Sequence, residues 1–131
     1  MKPWLNYYCL LAGACDAATG ALLLAAPDRV TALLRLEPAP PPAYASFIGA
    51  FVLAVGLSYL YPFLLAAAER AARLRVVFEI TAISRLAVAS FLAAAIATGA
   101  LGSSWAAVLA TDLALGGFQV AWLWRSRTAG R

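Results

Sequence analysis

The amino-acid sequence predicts an all-α fold, a bundle of four antiparallel transmembrane helices. Composition is the first reason. Of 131 residues, 64% are hydrophobic and 12% charged, whereas a soluble domain is about 45–50% apolar and about 25% charged. The second reason is distribution, because the apolar residues gather into four stretches of roughly 20 residues or slightly more, each long enough to cross a hydrocarbon core. Backbone polar groups have no water to bond inside lipid, so Ala- and Leu-rich stretches of that length have to be helical.

The elements follow from the breakers. The first span runs from Leu5 to Ala26, where Pro27 and Asp28 stop it, and a short amphipathic piece occupies Pro27 to Leu36. After Pro38, Pro40, Pro41 and Pro42 the second span covers Tyr44 to Ala68, with Pro62 expected to kink it near Ser58. The third covers Leu74 to Thr98 and the fourth Ser103 to Trp124. Loop one is the longest, loop two is short and charged, and loop three is little more than Gly99 to Gly102. No soluble catalytic domain fits between them. Lys2 and the run ending in Ala12, Gly13, Ala14 and Cys15 superficially match a lipoprotein signal, but Asn6, Tyr7 and Tyr8 interrupt the run and it continues to full span length. It reads as an uncleaved first helix.

Charge sets the expected orientation. With four spans, the N-terminus, loop two and the C-terminus share one side, and that side carries Lys2, Arg70, Arg73, Arg75, Arg125, Arg127 and Arg131. The other side carries Arg29 and Arg35, partly balanced by Asp28 and Glu37. The positive-inside rule then puts both termini in the cytoplasm of a bacterial inner-membrane protein. Trp4, Tyr7, Tyr8, Trp122 and Trp124 would form the cytoplasmic aromatic belt, with Tyr44 and Trp105 at the outer interface. The net charge of +4 is thus a topology signal, and no nucleic-acid partner is expected. With no histidine and two cysteines six residues apart on one helix, neither a metal nor a haem site is expected, and the cysteines are too far apart for a disulfide.

Helical spacing indicates which faces meet. Cys9, Gly13, Asp16 and Gly20 form a stripe on the first span, and Ser46, Gly49, Leu53 and Gly56 one on the second. Small residues let helix backbones approach closely in a bilayer, so Gly13, Gly20, Gly49, Gly56 and, on the fourth span, Gly116 are helix-packing candidates. Trp105, Asp112, Gly116 and Gln119 share a face of the fourth span.

Three spans carry an ionisable side chain near mid-depth: Asp16, Arg85 and Asp112. A charge at the bilayer centre costs about 2.5–3.5 kcal/mol on insertion scales, so such residues face inward and pair or work. A guanidinium flanked by two carboxylates satisfies all three groups. This polar core is either a structural clamp or a cavity in which a surplus acid takes a proton, a cation or a ligand head group. Thr81, four residues before Arg85, and Gln119 extend it; Glu79 is expected to pair with Arg75, or else to serve as an entry acid.

Pro27 to Leu36 after the first helix, the run Phe47-Ile-Gly-Ala-Phe followed by Gly56, Arg85 in the third span and Asp112 in the fourth together resemble the DoxX-like superfamily of small four-helix membrane proteins. Gly49, Gly56, Arg85 and Asp112 match its recurring pattern; Asp16 and Glu79 do not map onto it. The resemblance implies a four-helix bundle and relatives that include a membrane subunit associated with thiosulfate:quinone oxidoreduction and accessory proteins for maturation of other proteins. Three readings therefore stand: a non-catalytic accessory or assembly subunit bound to a larger membrane complex; a binder or transporter of a small lipophilic ligand, proton or cation, which at this size would act as a homo-oligomer; and a quinone-holding redox subunit. No nucleotide-binding, nucleophile or metal motif accompanies them, so a quinone is the one cofactor in view.

Overall fold

The computed structural model describes residues 3–128 and is all-α. Helix α1 covers Pro3–Ala25, α2 Pro27–Leu33, α3 Pro42–Leu60, α4 Ala67–Ala97 and α5 Ala106–Thr128. Single 3-10 turns, Tyr61–Leu64 and Ser103–Trp105, follow α3 and precede α5. Four segments are long and apolar enough to cross a membrane: Trp4–Ala25, Pro42–Leu64, Ala67–Ala97 and Ser103–Ser126. The four long helices pack in antiparallel pairs. Lys2 and Arg131, and the side chain of Arg127, all counted in the charge asymmetry above, lie outside the described residues.

The second span ends at Leu64, not Ala68, and two further features differ from the sequence expectation. Helix α4 begins at Ala67, not Leu74, so Glu69, Arg70 and Arg73 are helical and the connection shrinks to Leu65 and Ala66. Ala, Glu and Arg are strong helix formers, and Glu69 in the first turn complements the helix dipole. Pro62 lies beyond the α-helical part of the second span: α3 is α-helical to Leu60, and the chain then tightens into the 3-10 turn that contains Pro62. Proline has no N–H for the Ser58 carbonyl, and a tighter turn at the helix end accommodates its ring. Ser58 itself donates its hydroxyl to the Val55 carbonyl at 2.7 Å.

The chain forms two compact units. The first holds α1, α2, α3 and the start of α4 as far as Leu74. Here α1 lies along α3, and the contact is backbone on backbone. A Cβ built on Gly20 would stand 2.6 Å from the Gly49 carbonyl oxygen and nearer still to the Leu53 amide nitrogen. One on Gly56 would stand 2.7 Å from Ala17 Cα and 2.8 Å from the Gly13 oxygen, and one on Gly49 would stand 2.7 Å from Leu23 Cβ. Real Cβ atoms do not approach that closely, so α1 and α3 interlock only because Gly13, Ala17, Gly20, Gly49 and Gly56 lack bulk, with Leu53 meeting Gly20 through its backbone. Arg70 closes the α3–α4 connection: it donates from Nη2 to the Leu65 carbonyl at 3.3 Å and lies 5.1 Å over the Phe63 ring.

The second unit holds Leu36–Pro38, α4 from Arg75 onward, and α5. Along α4 the buried residues Phe78, Ala82, Arg85, Ala89 and Leu92 recur every three or four positions, which is one helical face. Phe78 meets Trp122 edge to face, with ring centroids 5.2 Å apart and an interplanar angle of 71°. Trp122 therefore turns into the unit, whereas Trp124 is 72% exposed. At the opposite end Gly99 (φ 74°) ends α4 in a conformation that suits glycine. The short segment before α3 is fixed there too: Gly102 donates its N–H to the Glu37 carbonyl at 2.9 Å and Glu37 donates its own to Ser104 Oγ at 2.9 Å.

Candidate functional site: a buried arginine–aspartate pair

Arg85 lies in the middle of the buried stripe of α4, where periodicity forces its side chain inward. On α5 the residues Asp112, Gly116, Gln119 and Leu123 follow one another at spacings of four, three and four, and they face α4. Gly116 makes the pairing feasible: a Cβ there would stand 3.3 Å from Arg85 Cβ and 3.2 Å from the Leu86 side chain, so the arginine stem passes over bare backbone. One turn before Gly116 on α5 the guanidinium reaches its partner. Arg85 Nη1 donates to Asp112 Oδ1 at 2.7 Å, with the two side chains 9% and 15% exposed. That distance is at the short end for N–H···O contacts, as expected when both groups are charged.

A second polar layer lies one turn away. Thr81 donates its hydroxyl to the Val77 carbonyl at 2.7 Å and more weakly to Gln119 Oε1 at 3.3 Å. Both residues are buried, Gln119 completely. Stacked along the α4–α5 seam are therefore an aromatic contact, a neutral hydrogen bond and an ion pair: Phe78 with Trp122, Thr81 with Gln119, Arg85 with Asp112. Each layer costs desolvation in its polar members, and each is matched across the seam, which fixes the register of the two helices.

Asp16 is on α1 in the first unit, partly buried, one turn from Gly13 and from Gly20. The residue that meets Gly56 between those two glycines is Ala17; the four-residue spacing from Gly13 is the signal that identifies it. Glu79 Oε1 lies 3.7 Å from Arg75 Nε with both side chains over a third exposed, a pairing of a kind worth about 0–1 kcal/mol. Cys9 is buried and Cys15 exposed, both as free thiols. Among the described residues no three His, Cys, Asp or Glu side chains gather as a metal site would require. An open apolar groove of about 450 Å³ lies further along α4, lined by Phe91, Ala94, Ala95, Thr98, Ala100 and Leu101; neither Arg85 nor Asp112 lines it.

The ion pair can hold two helices together and, being charged on both sides, is stable only while both partners are present. Compared with protein-family models, curated proteins and solved structures, the chain has no match.

Proposed function

We propose that this four-span membrane protein is a non-catalytic accessory or assembly subunit, DoxX-like in plan, whose polar seam is a structural clamp and whose apolar outer faces meet lipid and a larger membrane complex. The observation that carries the reading is the closed Arg85–Asp112 pair, 2.7 Å apart and nearly sealed from the surroundings. A binding or transport site needs a charge left available to its ligand, whereas here the carboxylate of α5 is taken up by the guanidinium of α4. Orientation with both termini cytoplasmic in a bacterial inner membrane rests on the basic residues Arg70, Arg73, Arg75 and Arg125 at one end of the spans.

The test separates clamp from conduit. In a clamp, Asp112→Asn lowers the unfolding temperature of the purified protein, and proteoliposomes containing it show the same proton and cation permeability as the parent. A variant that folds and melts like the parent but loses a pH-dependent ion or ligand signal would sink the clamp and favour transport. Purification with a stoichiometric larger membrane partner supports the accessory role; co-purification with tightly bound quinone opposes it.

A further inference from the structure

The connection after α1 holds two arginines and two leucines that the clamp does not use. At Ala26 (φ −150°, ψ 61°) the chain leaves the first span, and Pro27 at the first helical position starts α2 with its φ already set for a helix. This places α2 at the end of a membrane span, at the depth of the lipid head groups. One side of it is anchored. Thr31 is buried, and its hydroxyl donates back to the carbonyls of Pro27 at 3.0 Å and Asp28 at 3.2 Å, so its polarity is satisfied within the helix. The other side is open: Leu33 is 81% exposed and Leu34 49%. Arg29 lies one turn before Leu33 on the same face, and Arg35 follows Leu34; both are exposed and neither has an ion-pair partner among the described residues.

Arg35 adds a second observation. Its φ of 51° lies in the left-handed region, at a helix end where glycine or asparagine is the usual occupant. The chain thus places a long cationic side chain where a backbone penalty opposes it, and leaves that side chain uncommitted. Strained non-glycine residues of this sort mark positions where the side chain has work to do.

We propose that Pro27–Arg35 is a docking surface for the head group of an anionic phospholipid: Arg29 and Arg35 bracket the phosphodiester with charge-assisted hydrogen bonds while Leu33 and Leu34 enter the top of the acyl-chain layer. Guanidinium groups present planar donor pairs that match phosphate oxygens, and an interfacial helix gains from apolar insertion and anionic attraction together. Asp28 and Glu37 flank the two arginines in the sequence, so the segment has no bulk positive charge to attract anions indiscriminately. Recognition therefore depends on where the two guanidiniums stand.

Native mass spectrometry of the full chain, released from nanodiscs of equal parts phosphatidylglycerol and phosphatidylcholine, tests this directly. Retention of phosphatidylglycerol over phosphatidylcholine is expected, with the preference falling about fivefold for Arg29→Gln and again about fivefold for Arg35→Gly, the measure of one basic side chain at an anionic surface. Arg35→Gly suits the left-handed backbone, so it removes the charge without disturbing the fold; its unfolding temperature should equal or exceed that of the parent. Arg73→Gln, at the other end of the spans, should leave the preference unchanged. An undiminished preference in the Arg29→Gln, Arg35→Gly double variant would overturn the proposal. So would release of the lipid by millimolar inorganic phosphate, which would identify a free-anion site.

Discussion

Gly20 and Gly117 are both glycines inside apolar helices, yet their surroundings are opposite. Gly20 is pressed against the backbone of α3, while a Cβ on Gly117 would meet nothing within 4 Å. The contrast extends to the units that contain them. In the first, α1 and α3 are joined by interlocking stripes of small residues; in the second, α4 and α5 are joined by layers of aromatic, amide and charged partners. Lipid offers no hydrophobic drive for helices to associate, so close van der Waals contact and interhelical polar bonds are the means that remain. Each helix pair relies mainly on one of them. The first should tolerate changes of chemistry and refuse changes of volume, and the second should do the reverse.

Substitutions graded by size of effect can break that contrast. The largest loss belongs to Arg85→Met, which strands Asp112 in a buried site; removing one partner of such a pair costs about 3–5 kcal/mol, measurable by denaturant unfolding in micelles. Adding Asp112→Leu should restore most of that loss. If the double variant is as unstable as the single one, the seam is not held as a matched pair. Gly20→Ala and Gly56→Ala come next, at about 2–3 kcal/mol each, because the obstructing atoms are backbone and cannot yield. The same change at Gly116, where the neighbours are the Leu86 side chain and the Arg85 stem at 3.2–3.3 Å, should stay below about 1 kcal/mol, since a side chain can shift. Equal losses at all three glycines would erase the distinction between the two units. Thr81→Val, which removes the hydrogen bond to Gln119, is expected to cost about 1 kcal/mol. Smallest and opposite in sign, Gly117→Ala should stabilise by about 0.5–1 kcal/mol through helix propensity alone, and a destabilised variant would show that this open face is covered in the membrane.

Much of this arrangement was legible in the residues. Gly13, Gly20, Gly49 and Gly56 announced a close approach because their spacing repeats with the helix, and Asp112, Gly116 and Gln119 shared a face for the same reason. Ala17 is marked only by its four-residue spacing from Gly13, because alanine is too common in this chain to carry a signal by its identity. Helix α4 starts seven residues before the sequence expectation because Glu69, Arg70 and Arg73 read as an aqueous loop by charge, whereas as helix formers they prolong the helix. Pro62 reads from the sequence as a kink in mid-helix; the observed end of α3 places it after the last α-helical turn. The link from Glu37 to Gly102 and Ser104 joins residues more than sixty positions apart, a separation that no local pattern reveals.

Sequence alone determined that the chain is helical, that it crosses a membrane four times and which faces of the helices are small or polar, because lipid forbids unsatisfied backbone and periodicity of 3.6 residues sorts the side chains. Tertiary structure decided which polar residue meets which. The bond from Arg85 to Asp112 depends on α5 lying antiparallel to α4 with Gly116 leaving room for the arginine stem, a matter of register and clearance that is fixed only when the helices pack.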